Sequence, residues 1–458
     1  MGEWIPVLEK QEALRYTAIV EALERDIASG HLHDGTRLLP QRELANHLGV
    51  SVGMVSRAYA EAERRGLISG QVGRGTYVSA KTGKHSPKAE QAGGFVDLAL
   101  NAPPDTGATE LVEGLLAEIA ADRTIHRLCG YLPHQGLAEH RAAVAEWLAT
   151  TGYPVPADRA FITHGAQHGL FLGMSMVAAS GDTILTEELT YAGITALSTM
   201  AGYHIHGVAM DRHGLLPDAL DAAFRETQAR VVYMMPTYQT PTARTMPQER
   251  REAIAEVVSR HDAYLIEDDA YGFLPPTPQP SISARIPERS FYAVSFAKCL
   301  APGLRIGALV PPDSFRGQAI NSLRATGWMA TPTMAEVVSR AIRGGHLAEQ
   351  AERKRVEATR RQDAAKLILG EWLSPVSLAG GFHVWLELPR GRTLDTLIAQ
   401  AYSAGIRLAA SSAVGGGNGN QLNGVRLCLG GASSLTELEG ALRGIRRIVS
   451  SVEEISLV

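Results

Sequence analysis

The chain has 458 residues, more than one hydrophobic core usually serves, and its formal net charge of −4 argues against polyanion binding by the molecule as a whole. Its three cysteines, Cys129, Cys299 and Cys428, are too few and too scattered to predict a disulfide framework or a zinc site. We expect a cytoplasmic protein of at least two domains, with no metal site, signal peptide or membrane-spanning helix.

The first predicted domain covers residues 10–80 and contains three helices followed by a hairpin. Apolar side chains within Tyr16–Ile27 recur at helical spacing and give the first helix one apolar face. A proline precedes the second helix, Gln41–Leu48, and a serine hydroxyl can cap the third, at about Ser51–Arg65. The hairpin strands flank a glycine-rich turn and are predicted at Leu67–Ser69 and Thr76–Val78. This is the element order of a winged helix-turn-helix.

A local excess of positive charge marks the same region. Nine basic residues but only three acidic ones lie between Gly35 and Lys88, in a chain that is otherwise acidic. Residues 81–95 have little apolar content and are predicted to form a short linker. Any nucleic-acid surface is therefore expected to be local and to lie in this first domain.

Residues 14–78 resemble the winged helix-turn-helix of the GntR family. The motif is carried by Leu38–Ala45 (LLPQRELA), Leu48–Ser51 (LGVS), Val55–Tyr59 (VSRAY) and Gly73–Thr76 (GRGT). The resemblance implies that the third helix enters a groove of double-stranded DNA, with arginines on phosphates and glycines in the wing. The implied DNA-binding residues are Arg42, Ser51, Val52, Arg57, Gly73 and Arg74.

Two positions of the third helix depart from the family pattern. Val52 stands where the family usually carries Arg, the commonest reader of guanine, and Met54 stands where Thr is common. The operator sequence therefore does not follow from the motif. The competing interpretation is a protein-interaction module with a solvated basic face, which the predicted wing and the basic excess disfavour.

From residue 96 to residue 458, short apolar strands alternate with helical stretches, which predicts an α/β domain with a mostly parallel sheet and helices on its faces. We expect a large lobe at about 130–330 and a small α+β lobe at about 96–129 and 331–458, with a long helical stretch at Met334–Leu369. The strand candidates are Ala160–Thr163, Thr183–Leu185, Val231–Met235, Ala263–Glu267, Phe291–Phe296, Ala308–Val310, Gly381–Leu388 and Gly424–Leu429.

Residues Ser295–Gly307 (SFAKCLAPGLRIG) closely resemble the lysine motif of fold-type I aminotransferases, whose cofactor is pyridoxal 5′-phosphate. The resemblance implies that Lys298 is the catalytic lysine, which forms the internal aldimine with the cofactor, and that Ser295 and Arg305 bind the phosphate. Such a site also needs an acid that keeps the pyridine nitrogen protonated, a partner for the ring oxygen and an arginine for the substrate carboxylate.

Glu267–Tyr271 (EDDAY) follows an apolar strand and matches the acidic part of the family pattern. By this resemblance Asp268 pairs with the pyridinium nitrogen, Tyr271 donates to the ring oxygen, and Tyr191 stacks on the ring. One position departs: Thr240 stands where the family carries an Asn that binds the ring oxygen. Because a threonine hydroxyl is shorter, Tyr271 is expected to be the main partner of that oxygen.

Three further segments complete the predicted site. Gly165, Ala166 and Gln167 end a strand and open a helix, so their N–H groups suit a phosphate. Tyr131 lies in a segment (YLP…GL) that resembles the one reaching the phosphate of the neighbouring subunit, and Arg426 is the candidate carboxylate arginine. Six such pieces in the right order favour a cofactor domain over chance surface residues.

The two halves together resemble the MocR subfamily of GntR regulators. The resemblance implies a homodimeric transcriptional regulator with domain-swapped winged helices. It would sense pyridoxal phosphate, or an amino compound or amino acid, through an aldimine at Lys298. The alternative is a catalytically active aminotransferase that carries a DNA-binding domain, and a third interpretation is a cofactor reservoir with no role on DNA. We expect mainly a regulator, with aminotransferase activity left open.

Overall fold

The computed structural model describes residues 4–6, 16–28, 31–33, 36–64, 67–71, 75–78, 95–389, 391–409 and 424–450. The chain divides into two compact units, residues 1–90 and residues 91–458. Gly73 and Arg74 of the predicted wing, and residues 81–94 of the predicted linker, lie outside the described residues. Among the residues so described, none of the helices combines the length and apolar character that crossing a bilayer requires.

The first unit has the predicted order of three helices and a hairpin. Its elements are α1 (Tyr16–Ala28), α2 (Gln41–Leu48), α3 (Val52–Arg64), β1 (Ile68–Gln71) and β2 (Gly75–Val78). Gly49, with a φ of 65°, turns the chain between α2 and α3. The Ser51 hydroxyl accepts a hydrogen bond from the Met54 N–H (3.3 Å), as the capping prediction requires. β1 and β2 pair antiparallel, with Ile68 opposite Val78.

One apolar cluster holds the three helices of this unit together. Val20, Leu44 and Val55, one from each helix, are fully buried in it. The hydroxyl of Tyr59, also on α3, donates to the Leu39 carbonyl (2.8 Å). These contacts fix α3 by its buried face, so its opposite face remains in solvent.

Among the described residues the second unit has thirteen strands, seven of which form its main sheet. Its strands are β3 (Val96–Asp97), β4 (Phe161–Thr163), β5 (Thr183–Glu187), β6 (His204–Val208), β7 (Met210–Asp211), β8 (Gly214–Leu215), β9 (Val231–Met234), β10 (Tyr264–Asp268), β11 (Ser290–Ser295), β12 (Gly307–Val310), β13 (His383–Glu387), β14 (Ile406–Arg407) and β15 (Gly424–Cys428). The sheet order is β4-β12-β11-β10-β9-β5-β6, in which β12 runs antiparallel to both neighbours and the other pairs are parallel. Every predicted strand is confirmed, with ends shifted by at most two residues.

The helices of this unit are α4 (Ala108–Ala121), α5 (Ile125–Leu128), α6 (Ala138–Thr150), α7 (Ala166–Val177), α8 (Ala192–Ala201), α9 (Pro217–Thr227), α10 (Gln248–Arg260), α11 (Phe296–Cys299), α12 (Arg316–Gly327), α13 (Pro332–Arg343), α14 (His346–Leu369), α15 (Leu394–Ser403) and α16 (Leu435–Ser450). The helical stretch predicted at Met334–Leu369 is confirmed, and it consists of two helices, α13 and α14. Gly345 between them has a φ of 77°, which side-chain-bearing residues rarely adopt.

The packing of α13 corrects the predicted lobe boundary. Its buried face, which includes Val338, packs on α4 and α6 in the same core as the main sheet. Residues 115–128 and 335–358 therefore belong with the large lobe rather than the small one. The small core is formed by Leu98 together with side chains between Ala365 and Val449.

Six of the seven strands of the main sheet run the same way and end at one edge. Because β4, β9, β10 and β11 point the same way, their last residues, Thr163, Met234, Asp268 and Ser295, lie along the carboxyl edge of the sheet. In open α/β sheets this edge is where ligands bind.

Candidate functional site

A cavity of about 240 Å³ lies at the carboxyl edge of the sheet. The structure brings most of the predicted cofactor residues together in its wall. Those residues are Ala166, Gln167, Tyr191, Thr240, Asp268, Tyr271, Ser295, Lys298, Arg305 and Arg426. Their positions in the chain span 261 residues, from 166 to 426, so the cavity is a product of the fold rather than of one motif.

Lys298 lies on α11, the short helix that follows β11. The Ser295 hydroxyl caps this helix by accepting from the Ala297 N–H (3.1 Å). The Lys298 ammonium donates to the main-chain carbonyl of Asn101. Desolvation lowers the pKa of Lys298 to about 8, and the charges of Arg426 and Arg305 act in the same direction. The amine is therefore a better nucleophile near neutral pH than an ordinary lysine.

Asp268 ends β10 and is buried in the cavity wall. Its carboxylate accepts hydrogen bonds from the Tyr233 hydroxyl (3.1 Å) and the Ala270 N–H (3.2 Å). Burial raises the pKa of Asp268 to about 7, although these hydrogen bonds oppose the rise. A cation placed in the cavity would stabilise the ionised carboxylate, so Asp268 suits a ring nitrogen that carries a proton.

The amino end of α7 and Arg305 form a cradle for an anion. Gly165 precedes α7 with a φ of 78°, and a methyl group added there would come 3.0 Å from an Nη atom of Arg305. The guanidinium therefore lies directly against the helix end. No side chain among the described residues caps α7 at this end. Free N–H groups, the helix dipole and an arginine together fit a phosphate.

Tyr191 forms another part of the cavity wall. It precedes α8 and is half-buried. A methyl group added to Gly193 would collide with the tyrosine ring, so the ring packs directly on the glycine backbone. Gln167 donates to the Gly193 carbonyl (3.0 Å) and ties α7 to this turn. The ring is thus held where it can stack on a planar ligand.

Tyr271 and Thr240 are buried side by side in the cavity wall. Burial raises the pKa of the Tyr271 phenol, so its hydroxyl keeps its hydrogen at neutral pH. The Thr240 hydroxyl lies within hydrogen-bonding reach of Tyr271. Both predicted partners of a ring oxygen therefore occupy one corner of the cavity.

Two residues that the sequence analysis missed meet in the same corner. Asn101 Nδ2 donates to the Tyr271 hydroxyl oxygen (2.7 Å) and lies 3.3 Å from His383 Nδ1. Asn101 stands 197 positions before Lys298 and His383 stands 85 positions after it, and neither lies in a recognisable motif. The segment Asn101–Pro104 (NAPP) offers only a turn signal. The contacts of Asn101 and His383 can therefore be seen only in the folded structure.

Arg426 and Tyr131 are placed differently from each other. Arg426 on β15 lines the cavity and donates from Nη2 to the Ala99 carbonyl (2.8 Å), while its Nε is buried without a partner in the described part of the chain. Tyr131 lies outside this cavity and is 87% exposed, with its ring 5.5 Å from the ring of Trp328. Arg426 can therefore reach a ligand in this cavity, whereas Tyr131 is free to contact another molecule.

The predicted DNA-binding residues that the structure describes are exposed on α2 and at the start of α3. Ser51, Val52 and Arg57 are exposed at and near the start of α3, and Met54 is half-buried between them. Arg42 is exposed in the first turn of α2. Val52, at 43% exposure, offers an apolar contact rather than the hydrogen bonds of an arginine.

Two family profiles match the chain and together cover both units. The profile "Bacterial regulatory proteins, gntR family" matches residues 15–78, and "Aminotransferase class I and II" matches residues 94–440, more than half of the chain. The chain belongs to the class I and II aminotransferase family. Its added GntR domain gives it the MocR architecture, which confirms the resemblance seen in the sequence.

Relatives with both domains are named as regulators. The uncharacterized HTH-type transcriptional regulator YdeF of Bacillus subtilis (strain 168) is 25% identical over 453 residues, which cover 98% of this chain and 97% of YdeF. The HTH-type pyridoxine biosynthesis transcriptional regulator PdxR of Corynebacterium glutamicum is 27% identical over 423 residues, covering 88% and 89% of the two chains. This MocR chain is thus a transcriptional regulator with an aminotransferase-like domain.

The solved structures most useful for comparison are aminotransferases. Pyrococcus horikoshii kynurenine aminotransferase matches with a TM-score of 0.71 and 24% identity, over 79% of this chain and 92% of the enzyme. At this identity the likeness shows the fold alone. It confirms that the second unit of this MocR chain has the fold-type I aminotransferase architecture, a family that depends on pyridoxal phosphate.

The lowered pKa of Lys298 predicts selective reactivity in the cofactor-free protein. With a pKa of about 8, roughly a quarter of the amine is neutral at pH 7.5, against about one part in a thousand for an ordinary lysine. Reductive methylation with formaldehyde across a pH series, followed by peptide mass spectrometry, should give a midpoint near 8 for Lys298. Exposed Lys366 on α14 is the control, and equal midpoints for the two lysines would contradict the assignment.

Proposed function

We propose that this chain regulates transcription by sensing pyridoxal phosphate, or an amino compound attached to it, through covalent linkage at Lys298. The observation that carries the proposal is the meeting of Lys298, Asp268 and Arg305 in one cavity. The fused GntR domain supplies the DNA-binding half of the function. The name of PdxR, a regulator of pyridoxine biosynthesis, supports a signal related to this cofactor.

The cavity has the donors and acceptors that pyridoxal phosphate requires. The helix end at Gly165 with Arg305 suits the phosphate, Asp268 suits the protonated ring nitrogen, and the Tyr271 hydroxyl suits the ring oxygen. In addition, Gln167 Oε1 is buried without a partner among the described residues. The structure of kynurenine aminotransferase, which has the same fold, was determined in complex with PMP.

The bound cofactor would supply an aldehyde that condenses with an amine and a ring that accepts electrons. The residues of this chain have separate tasks. Lys298 would provide the amine, and Asp268 would hold a proton on the ring nitrogen. Tyr191 would cover one face of the ring and limit the access of water.

An amino acid is the effector that the cavity fits best. Arg426 reaches the cavity from β15, and its unpaired Nε leaves hydrogen-bonding capacity for a carboxylate. An α-amino acid presents its amine and its carboxylate close together, which matches Lys298 and Arg426 in one wall. The effector would take over the covalent linkage from Lys298 while its carboxylate pairs with Arg426.

Ligand binding would alter contacts near the start of the second unit. Lys298 donates to the Asn101 carbonyl and Arg426 donates to the Ala99 carbonyl, so both cations hold the segment that begins with β3. A ligand that takes the amine or supplies a carboxylate competes with these carbonyls. Because this segment follows the predicted linker in the sequence, the competition offers a physical route from ligand to DNA-binding domain.

A homodimer with domain-swapped winged helices is part of the proposal. Tyr131 is highly exposed and cannot serve the cavity of its own subunit from its place beside Trp328. The family resemblance gives this segment a contact with the phosphate in the neighbouring subunit. A dimer would bury the exposed rings and would match an operator made of two half-sites.

Transamination remains the competing function, because the cavity retains Lys298, Asp268, Tyr271, Arg305 and Arg426 together. Holoprotein incubated with an amino acid and a keto acid acceptor distinguishes the two. Rapid product formation favours an enzyme, whereas a spectral change without product favours a sensor.

Removing Lys298 is expected to abolish covalent cofactor binding without unfolding the protein. Lys298→Ala should lose the visible absorbance that the wild-type protein gains on adding pyridoxal phosphate, since no other amine lines the cavity among the described residues. Circular dichroism and the dimer mass should be unchanged. Lys366→Ala is the matched control and should keep the absorbance. Wild-type protein without such absorbance would contradict the proposed cofactor.

Arg57 is expected to contact a DNA phosphate. Arg57→Ala should reduce the slope of log K against log salt concentration by about one. It should also weaken binding to the specific site and to unrelated sequences by about the same factor. Fluorescence anisotropy with labelled duplexes over a salt series measures both effects. Arg25→Ala, at an exposed position of α1, is the control. Equal slopes for the two variants would remove Arg57 from the DNA interface.

A further inference from the structure

Asn101 connects two side chains that the proposed cofactor requires. Its side-chain Nδ2 donates to the Tyr271 hydroxyl oxygen (2.7 Å), and its main-chain carbonyl accepts from the Lys298 ammonium. The residue lies in the cavity wall, beside Thr240 and outside every motif that the sequence analysis used. One residue thus contacts both the group that binds the aldehyde carbon and the group that faces the ring oxygen.

His383 determines which end of the Asn101 amide faces Tyr271. Its Nε2 lies 3.1 Å from the Gln239 carbonyl, which can only accept, so Nε2 carries the hydrogen. Burial, together with the charge of Arg426, lowers the pKa of His383 to about 3, so the ring is neutral. Its Nδ1 is therefore an acceptor, and the Asn101 atom 3.3 Å away must be the amide nitrogen.

The direction of these hydrogen bonds leaves one hydrogen free. A tyrosine hydroxyl has one hydrogen and can also accept. Because Asn101 donates to the Tyr271 oxygen, the Tyr271 hydrogen is not used in that contact. It can be donated either into the cavity or to the nearby Thr240 hydroxyl. Accepting one hydrogen bond also strengthens the one that a hydroxyl donates.

We propose that Asn101 is a positioning residue that makes the Tyr271 hydroxyl a hydrogen-bond donor to the ring oxygen of the cofactor, with His383 and Gln239 fixing the Asn101 amide. The proposal rests on the proposed binding of pyridoxal phosphate at Lys298. It explains how this chain serves the ring oxygen although Thr240 stands where the family carries an amide.

The proposal has a consequence for the protonation of the Lys298 linkage. A donor to the ring oxygen stabilises its negative charge and weakens its hold on the proton that it shares with the linkage nitrogen. Loss of the donor should therefore raise the pKa of the linkage. Cys428, Arg426, Asp268 and Arg305 act on the charge of Lys298 and are the same in every variant below. Two further titratable neighbours of Lys298, Tyr271 and His383, are themselves tested positions, and His383 is neutral.

The test is a pH titration of the visible absorbance of cofactor-loaded protein. Asn101→Leu keeps the size and the main-chain carbonyl but removes the amide, and should raise the linkage pKa by roughly 0.5–1 unit. Tyr271→Phe should raise it by about 1–2 units, the effect of losing one charge-assisted hydrogen bond. In the double variant, Asn101→Leu should add nothing, because its effect passes through the Tyr271 hydroxyl.

Thr240→Val is the matched control, since it removes a neighbouring hydroxyl and should shift the pKa less than Asn101→Leu. An unchanged pKa in Asn101→Leu, or an equal shift in the presence and absence of the Tyr271 hydroxyl, overturns the role of Asn101. If Asn101→Leu fails to fold by circular dichroism, Asn101→Ala and His383→Leu should show the same direction of shift. Wild-type protein without visible absorbance would instead overturn the cofactor itself.

Discussion

An amine that is held out of bulk water beside other cations is the constraint on which the site depends. Desolvation and the charges of Arg426 and Arg305 lower the pKa of Lys298 to about 8, while burial raises that of Asp268 to about 7. Each group therefore has a pKa close to neutral pH, so a neighbouring charge determines whether it is ionised. Pyridoxal phosphate brings a phosphate, a ring nitrogen that can carry a proton and an aldehyde, so it complements these groups one by one.

The fold assembles these groups by bringing strand ends together. The carboxyl ends of β4, β10 and β11 place the α7 end, Asp268 and Lys298 around one cavity, and the small core adds Arg426 from β15. The first residues of the second unit close the cavity through Asn101. The segment that follows the predicted linker in the sequence also lines the cavity, as the proposed coupling between ligand and DNA-binding domain requires.

Much of this architecture follows from local sequence patterns. Hydrophobic alternation predicted every strand named in advance, and the lysine and acidic motifs identified most of the cavity wall. The helical stretch at Met334–Leu369 was predicted, but its division into α13 and α14 at Gly344 and Gly345 was not. The packing of α13 in the large core was missed too, because an apolar helix face does not indicate which element it packs against.

Local sequence patterns could not identify Asn101 and His383 as site residues. Their importance comes from hydrogen bonds that join positions 170 and 282 residues apart, which only the tertiary fold specifies. Thr240 shows the reverse case, since the departure from the family pattern was visible in the sequence but its compensation was not. The effect of a substitution in a motif therefore depends on the other residues that line the cavity.

The coupling between the two domains is the central claim, and one binding measurement tests it most directly. Duplexes enriched from a random pool by the wild-type protein serve as probes, and their Kd is measured with and without pyridoxal phosphate, for wild type and for Lys298→Ala. We expect the cofactor to change the wild-type Kd by about 5–150-fold, the usual range of allosteric coupling, and to leave the Lys298→Ala value unchanged. A wild-type Kd that is indifferent to the cofactor, and to every amine that alters its absorbance, would contradict the account.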